Sequence, residues 1–304
     1  MELASVTLYK TVVMAVLALV GVFCYRRGIV DDELNKKLSD LVLRIFTPVL
    51  LFTSFQKEYD RDLLNGLGTA VVLSLLSFAV IWGISRFAIS GQEKDQACVE
   101  HIALMYSNCG FIGIPMAQGI FGTEGVMYMT AYVAVANFLL WSHGVIVMSG
   151  KADLKSICQV FRSPTILAIA AGVLCFLCQI KIPQMAEEPM EMIASMNTPM
   201  AMLVAGVNIA QTEIRQCIGK WRLYWLSIVR LVVMPAVLVL IFSFVPGWSQ
   251  VKTVMVLASA CPSGVTGSLF AMQYGKDAVY ASELFALSTI LSMVTVPFMM
   301  LLCG

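Results

Sequence analysis

Apolar runs long enough to cross a bilayer return throughout this chain, and they constrain its fold more than any other feature. A stretch of about 17–25 mostly apolar residues is stable in hydrocarbon only as a helix, because each backbone N–H and C=O must then find a partner within the segment. Ten such segments fit the sequence, near 6–25, 38–56, 64–88, 97–121, 125–148, 164–180, 189–211, 220–245, 251–274 and 279–302. The first lacks the charged leader and small-residue cleavage site of a signal peptide, so it is expected to be retained as a span. Only 13% of the residues are charged and the mean hydropathy is +0.83, against about 25% charged in an ordinary soluble domain. The reading is an all-α polytopic membrane protein. A net charge of +1 with no basic patch or tail argues against a nucleic-acid partner.

Two of the ten segments carry residues that a continuous helix resists. Asn108-Cys-Gly-Phe-Ile-Gly-Ile-Pro115 lies inside 97–121, and Ser259-Ala-Cys-Pro262-Ser-Gly264 lies inside 251–274. Glycine loosens the backbone, while proline removes a donor and crowds the preceding turn. Unwound backbone at membrane depth is tolerated only where it is buried in protein or lines a cavity. One such segment reads as a kink between packed helices. Two, in matching places of the two halves, point instead to the binding site of a secondary transporter.

The two halves share further traces. Thr47-Pro48 in the second segment answers Thr198-Pro199 in the seventh, and Phe121-Gly122 after the fourth answers Tyr274-Gly275 after the ninth. An odd number of spans per half would insert the second half upside down. The expected division is a first five-helix repeat over 1–148, a linker over 149–163 and an inverted second repeat over 164–304. With the amino terminus outside, one face of the membrane collects Arg26, Arg27, Lys36, Lys37, Arg86, Lys94, Lys151, Lys155, Arg162, Arg215, Lys220, Arg222 and Lys276. The other face collects Lys10, Lys57, Arg61, Lys181 and Lys252. The excess marks the first face as cytoplasmic and places both termini outside.

Crossed half-helices would bring their amino-terminal ends together at mid-membrane, where partial positive charge and unpaired N–H groups attract an anion. Pro115 and Pro262 suit the first turns of the second half-helices, where no N–H is required. Gly110, Gly113 and Gly264 would permit close backbone approach. Asn108 is the natural side chain to bridge freed backbone groups or bind a carboxylate, with Cys261 and Ser263 beside it. Asn137, midway along the fifth segment, is a further candidate for substrate contact. Thr53, Ser54, Asn208 and Ser288 are candidate cavity walls, although such side chains also bond across packed helices without touching a ligand.

Arg230 lies about ten residues into its span, or ~15 Å deep, and needs an anion, a carboxylate or carbonyl partners. Its expected role is to satisfy carbonyl ends of the broken helices, with direct substrate binding as the alternative. Arg44 is shallower and is read as snorkelling to the surface. Glu100, Glu191, Glu213 and Glu283 lie near segment ends, so no carboxylate-built sodium or proton site is evident. A coupling ion, H+ or Na+, is left open, with Asn108, Asn137, Ser288 or Thr289 able to help hold one. His101 and His143 are each isolated in sequence near the cytoplasmic side and read as interfacial or satisfied core histidines. The nine cysteines, Cys175-x-x-Cys178 among them, read as small apolar packing residues. No metal cluster and no cofactor motif is visible.

These residues resemble the auxin efflux carrier family, especially its bacterial malate or malonate permease-like members. The matching pieces are Asn108-x-Gly110-x-x-Gly113-x-Pro115 with Phe121-Gly122, Thr198-Pro199, Pro262, Tyr274-Gly275-x-Asp277, and Ser288-Thr289-x-x-Ser292 with Pro297. The resemblance implies ten helices in two inverted five-helix repeats with crossed broken helices four and nine, the bile-acid symporter or NhaA-like fold. It implies a scaffold of helices 1, 2, 6 and 7, a mobile transport unit of helices 3–5 and 8–10, and a homodimer through the scaffold. The implied substrates are organic anions, from small dicarboxylates to indole-3-acetate, carried across the cell (inner) membrane by alternating access. An auxin-like aromatic-acid carrier and a fixed-pore anion channel are the alternatives. With no HExxH or GxSxG motif present, an enzyme ranks last.

Overall fold

The structure, a computed structural model, describes residues 2–151, 161–212, 217 and 219–303. Lys155, Glu213, Arg215, Cys158 and most of the 149–163 linker lie outside the described residues. Those described form fifteen α-helices: α1 (Glu2–Arg26), α2 (Asp32–Leu41), α3 (Thr47–Ser54), α4 (Arg61–Ala88), α5 (Lys94–Met105), α6 (Ile114–Leu139), α7 (Val145–Ser149), α8 (Pro164–Cys178), α9 (Gln184–Ser195), α10 (Asn197–Gln211), α11 (Trp221–Ile228), α12 (Met234–Ser243), α13 (Ser249–Ala260), α14 (Thr266–Gln273) and α15 (Ala278–Leu301). Among them there is no strand, only one isolated bridge between Ser107 and Ser263. Six helical stretches are long and apolar enough to cross a membrane: Ser5–Arg26, Arg61–Ala88, Cys109–Ser149, Gln184–Gln211, Trp221–Ser243 and Ala278–Leu301. The shorter α8 is apolar as well.

Proline explains most of the irregularity. Wide π turns occupy Val42–Phe46, Cys109–Gly113 and Val229–Val233, and each ends two residues before a proline: Pro48, Pro115 and Pro235. In each case the residue preceding the proline donates its N–H five residues back: Thr47 to Val42, Ile114 to Cys109, and Met234 to Val229. An extra residue in the turn relieves the ring's clash with the carbonyl below it and lets the helix continue. A fourth π turn, Leu140–Gly144, has no proline after it.

Glycine governs the rest. Cys109–Ser149 contains 41 residues, which as a straight rod would measure about 60 Å, twice the hydrocarbon thickness. It bends at Gly122, whose φ of 65° and ψ of −152° only glycine adopts readily. Elsewhere, α1 and α10 pack with almost no side chain between them. A Cβ on Gly21 would sit 2.1 Å from the Leu203 carbonyl oxygen, and one on Gly206 would sit 1.9 Å from that of Ala18. Close backbone approach of this kind is how helices associate where water supplies no hydrophobic drive.

Candidate functional site

The site grows from two helix breaks. α5 ends at Met105 and Tyr106 is extended; α13 ends at Ala260 and Cys261 is extended. Exposed peptide groups at these ends would cost several kcal/mol each in an apolar interior, so the breaks pair with one another. Asn108 N–H donates to the Pro262 carbonyl at 2.7 Å, and Gly264 N–H donates to the Tyr106 carbonyl at 2.9 Å. Together they form the antiparallel bridge between Ser107 and Ser263. The interior around it is closely packed: Ser259, Ala260 and Cys261 are fully buried and Ser263 is nearly so.

Residues predicted for the site fall into place unevenly. Gly264 is closely approached, a Cβ there lying 3.2 Å from the Tyr106 carbonyl oxygen. Gly113 is tight against Cys109 and the Cys261 thiol, both 3.2 Å from its would-be Cβ. Gly110 is different: nothing lies within 4 Å of a Cβ built on it, so it serves no close approach. The two prolines are placed differently. Pro115 lies in the first turn of α6, directly behind the π turn that opens at Cys109. Pro262 sits in the extended break itself, ahead of α14, and contributes its carbonyl. The backbone of Asn108 is fully engaged, its carbonyl accepting from Ile112 and Gly113. The residue is 6% exposed, and its side-chain amide makes no hydrogen bond among the described residues.

Arg230 is completely buried in the π turn before Pro235. One guanidinium nitrogen donates to the Leu104 carbonyl at 3.1 Å, in the last turn of α5. Its Nε and Nη2 have no hydrogen-bond partner among the described residues, and neither do the hydroxyls of Ser107 and Tyr132. Tyr132, Cys109 and Cys261 surround it, and no carboxylate is among its neighbours within the described residues.

Ser288, on α15, accepts from the Ser263 N–H at 3.2 Å and anchors the second break. The next polar residues on that helix, Thr289 and Ser292, open onto a cavity of about 40 Å³. Thr11 and Met14 of α1, Met202 of α10, and Ile112 and Met116 beyond Asn108 complete most of its wall. The cavity thus abuts the paired breaks on the side facing α1 and α10. Thr53, Ser54, Asn137 and Asn208 are not part of its wall. Asn208 accepts from Asn35 at 2.7 Å, clasping α10 to α2. Asn137, Thr53 and Ser54 bond carbonyls of their own helices.

Sequence reading missed the pairing of charges around these helices. Glu100 is fully buried and receives two bonds from Arg222, at 3.0 and 2.5 Å, and one from the Tyr280 hydroxyl at 2.9 Å. Glu283 is 2% exposed and is held by Lys220 through both oxygens, at 2.6 and 2.7 Å. Asp95 meets Lys276 at 2.5 Å, linking the start of α5 to the loop before α15. That hydrogen bond holds the Asp95 carboxyl below its usual range and the Lys276 ammonium above its own. His101 and His143, isolated in sequence, stack edge-on with ring centroids 5.2 Å apart. Ser85 and Tyr106 each meet one of the two rings. Arg44 is exposed and pairs with Asp40 at 3.7 Å. No group of His, Cys, Asp and Glu suited to a metal occurs among the described residues.

Comparison with known proteins bears on this architecture. A family model described as "Membrane transport protein" matches residues 5–159 and 151–300. An uncharacterized transporter of Methanothermobacter thermautotrophicus is 25% identical, with 93% of each chain covered. The uncharacterized transporter MJ1031 of Methanocaldococcus jannaschii is 26% identical, covering 91% of this chain and 92% of its own. The uncharacterized transporter YfdV of Escherichia coli K12 is 23% identical, with 93% of each chain covered. Helices long and apolar enough to cross a membrane, breaks that pair with one another and a family match along almost the whole length lead to one conclusion: the chain is a multi-pass membrane protein and belongs to the auxin efflux carrier family of membrane transport proteins.

Proposed function

We propose that this protein is a secondary carrier of small organic anions, malate- or malonate-type acids among them, working by alternating access at the paired breaks. The observation that carries the reading is the meeting of the two interrupted segments through Asn108, Pro262, Tyr106 and Gly264, with the Asn108 amide left uncommitted beside them. Half-helix amino termini at Cys109 and after Gly264 add partial positive charge where a carboxylate would lie.

On this reading the chain makes ten spans in two inverted five-helix repeats, with segments four and nine broken and crossed. Support comes from the matched Thr-Pro and aromatic-Gly pairs, and from Gly122, whose bend divides the 41-residue stretch into two segments. Helices of spans 1, 2, 6 and 7 act as the scaffold, in which α1 lies in close contact with α10, and pair two copies into a homodimer. Spans 3–5 and 8–10 move as the transport unit in the cell (inner) membrane, with both termini outside, as the lysine and arginine bias favours. The cavity between α1, α10 and α15 lies where two such bodies would slide.

Uptake of labelled malate, malonate and other organic acids into proteoliposomes tests the proposal. Saturable uptake is expected, and Asn108→Ala should lower it at least about tenfold, the loss of one charge-assisted hydrogen bond. Equal uptake by the Asn108→Ala protein would remove that residue from the mechanism. Flux that never saturates would replace the carrier with a pore.

A further inference from the structure

Charge balance in the interior bears on what the site will accept. The buried or half-buried carboxylates of Glu100, Glu283 and Glu124 each have a cation, in Arg222, Lys220 and Lys57 respectively. Arg230 has none. It is fully buried and, unlike lysine or histidine, cannot shed its proton to escape the cost. Its surroundings are Tyr132 on α6, Cys109 and Cys261 on the two breaks, Met234 on its own helix and the Leu104 carbonyl. None of these carries a negative charge when protonated in the ordinary way. The core around the paired breaks therefore holds one uncompensated positive charge.

The adjoining cavity offers nothing to offset a second negative one. Its wall contains no charged residue, and its hydroxyl protons are already committed within their own helices. Thr11 donates to the Thr7 carbonyl at 2.8 Å, Thr289 to Phe285 at 2.7 Å and Ser292 to the Thr289 carbonyl at 2.7 Å. Methionines 14, 116, 202 and 293 supply much of the remaining surface. A carboxylate buried there without donors would carry a large desolvation cost.

We infer that the carrier takes its substrate as a monoanion, with Arg230 as the fixed countercharge that sets this selectivity. The inference rests on the carrier reading above and deepens it. A monocarboxylate, or a dicarboxylic acid that keeps one proton, neutralises the loaded site; a dianion leaves a net negative charge in a low-dielectric interior. Arg230 acts from behind the breaks through its field and through the Leu104 carbonyl that it holds.

Malonate and its monomethyl ester, alike in size but different in charge at neutral pH, make the test. Binding of each to purified protein is followed by thermal shift and by equilibrium titration from acidic to slightly alkaline pH. At slightly alkaline pH the ester should bind at least about tenfold more tightly, because the second carboxylate of malonate must leave water for a wall with no free donor. The gap should close as the malonate dianion takes up one proton, while the ester controls for titration of the protein, including His101 and His143. Arg230→Gln should lose ester binding and Arg230→Lys should keep it. Malonate binding as tightly as the ester at alkaline pH overturns the inference while leaving the carrier intact. Failure of every acid to bind would remove the carrier reading and this inference with it. The comparison of the two ligands needs only the unaltered protein, so it stands even if Arg230→Gln does not fold.

Discussion

Asp95 and Lys276 show how a single pair can report on its own surroundings. Asp95 titrates below its ordinary value because Lys276 hydrogen-bonds its charged form. A depressed folded-state pKa contributes stability that is present above the unfolded value and lost as the pH falls through the folded one. Lys276 is raised, so its contribution is present below its unfolded value and fades as the pH climbs through the folded one. Asp95→Asn is therefore expected to lower the melting temperature at pH 7 and to make no difference once the medium is acid enough to protonate Asp95. Melting curves of both proteins across that range check it; an effect independent of pH would assign the loss to packing instead. Asn108 was legible as a candidate from sequence because an amide beside two glycines and a proline has few structural duties. The pairing of Glu100 with Arg222 was not legible, since 122 residues separate them.

At the scale of elements, two opposing effects meet at the glycines. Replacing a helical glycine by alanine gains about 1 kcal/mol in helix propensity. At Gly206 that gain is outweighed, because the new methyl would lie 1.9 Å from the Ala18 carbonyl oxygen, an atom of rigid backbone. Gly206→Ala should force α1 and α10 apart and cost about 3 kcal/mol, the upper range for overpacking. Gly68→Ala, on α4, meets nothing within 4 Å, and should be neutral or stabilising by up to about 1 kcal/mol. Unfolding in detergent distinguishes the two, and equal effects would show that α1 and α10 can separate freely. The prolines carried a clearer message in sequence than the glycines did. Pro115 beside two glycines announced irregular helix, but the wide turns that absorb its ring and those of Pro48 and Pro235 depend on hydrogen bonds that no spacing displays.

For the molecule as a whole, the polar ties between the two proposed bodies are unevenly placed. Lys57, just past α3, reaches Glu124 beyond the Gly122 bend at 3.4 Å, and Thr198 of α10 donates to Gln118 of α6 at 3.2 Å. At the opposite end, the side-chain bonds found among the described residues join Asn35, Gln211 and Asp32 on one body, or Glu100, Arg222 and Tyr280 on the other. A carrier that alternates must release the Lys57–Glu124 end at some point in its cycle. Cysteines at both positions, joined by a short bifunctional thiol reagent, should abolish uptake, and cleaving the linker should restore it. Full uptake with the linker in place would show that this end never opens.

Sequence alone determined the solvent and the secondary structure of this chain: long apolar runs in a low-dielectric medium leave the backbone no choice but helix. It also located both breaks, because glycine and proline act on their own backbone and carry their effect in their identity. Which groups meet was decided by tertiary structure. Only the folded chain brings Asn108 to Pro262, aligns Gly21 with Gly206 and encloses Arg230 without a carboxylate, because each depends on chain segments distant in sequence and on the space left between packed helices.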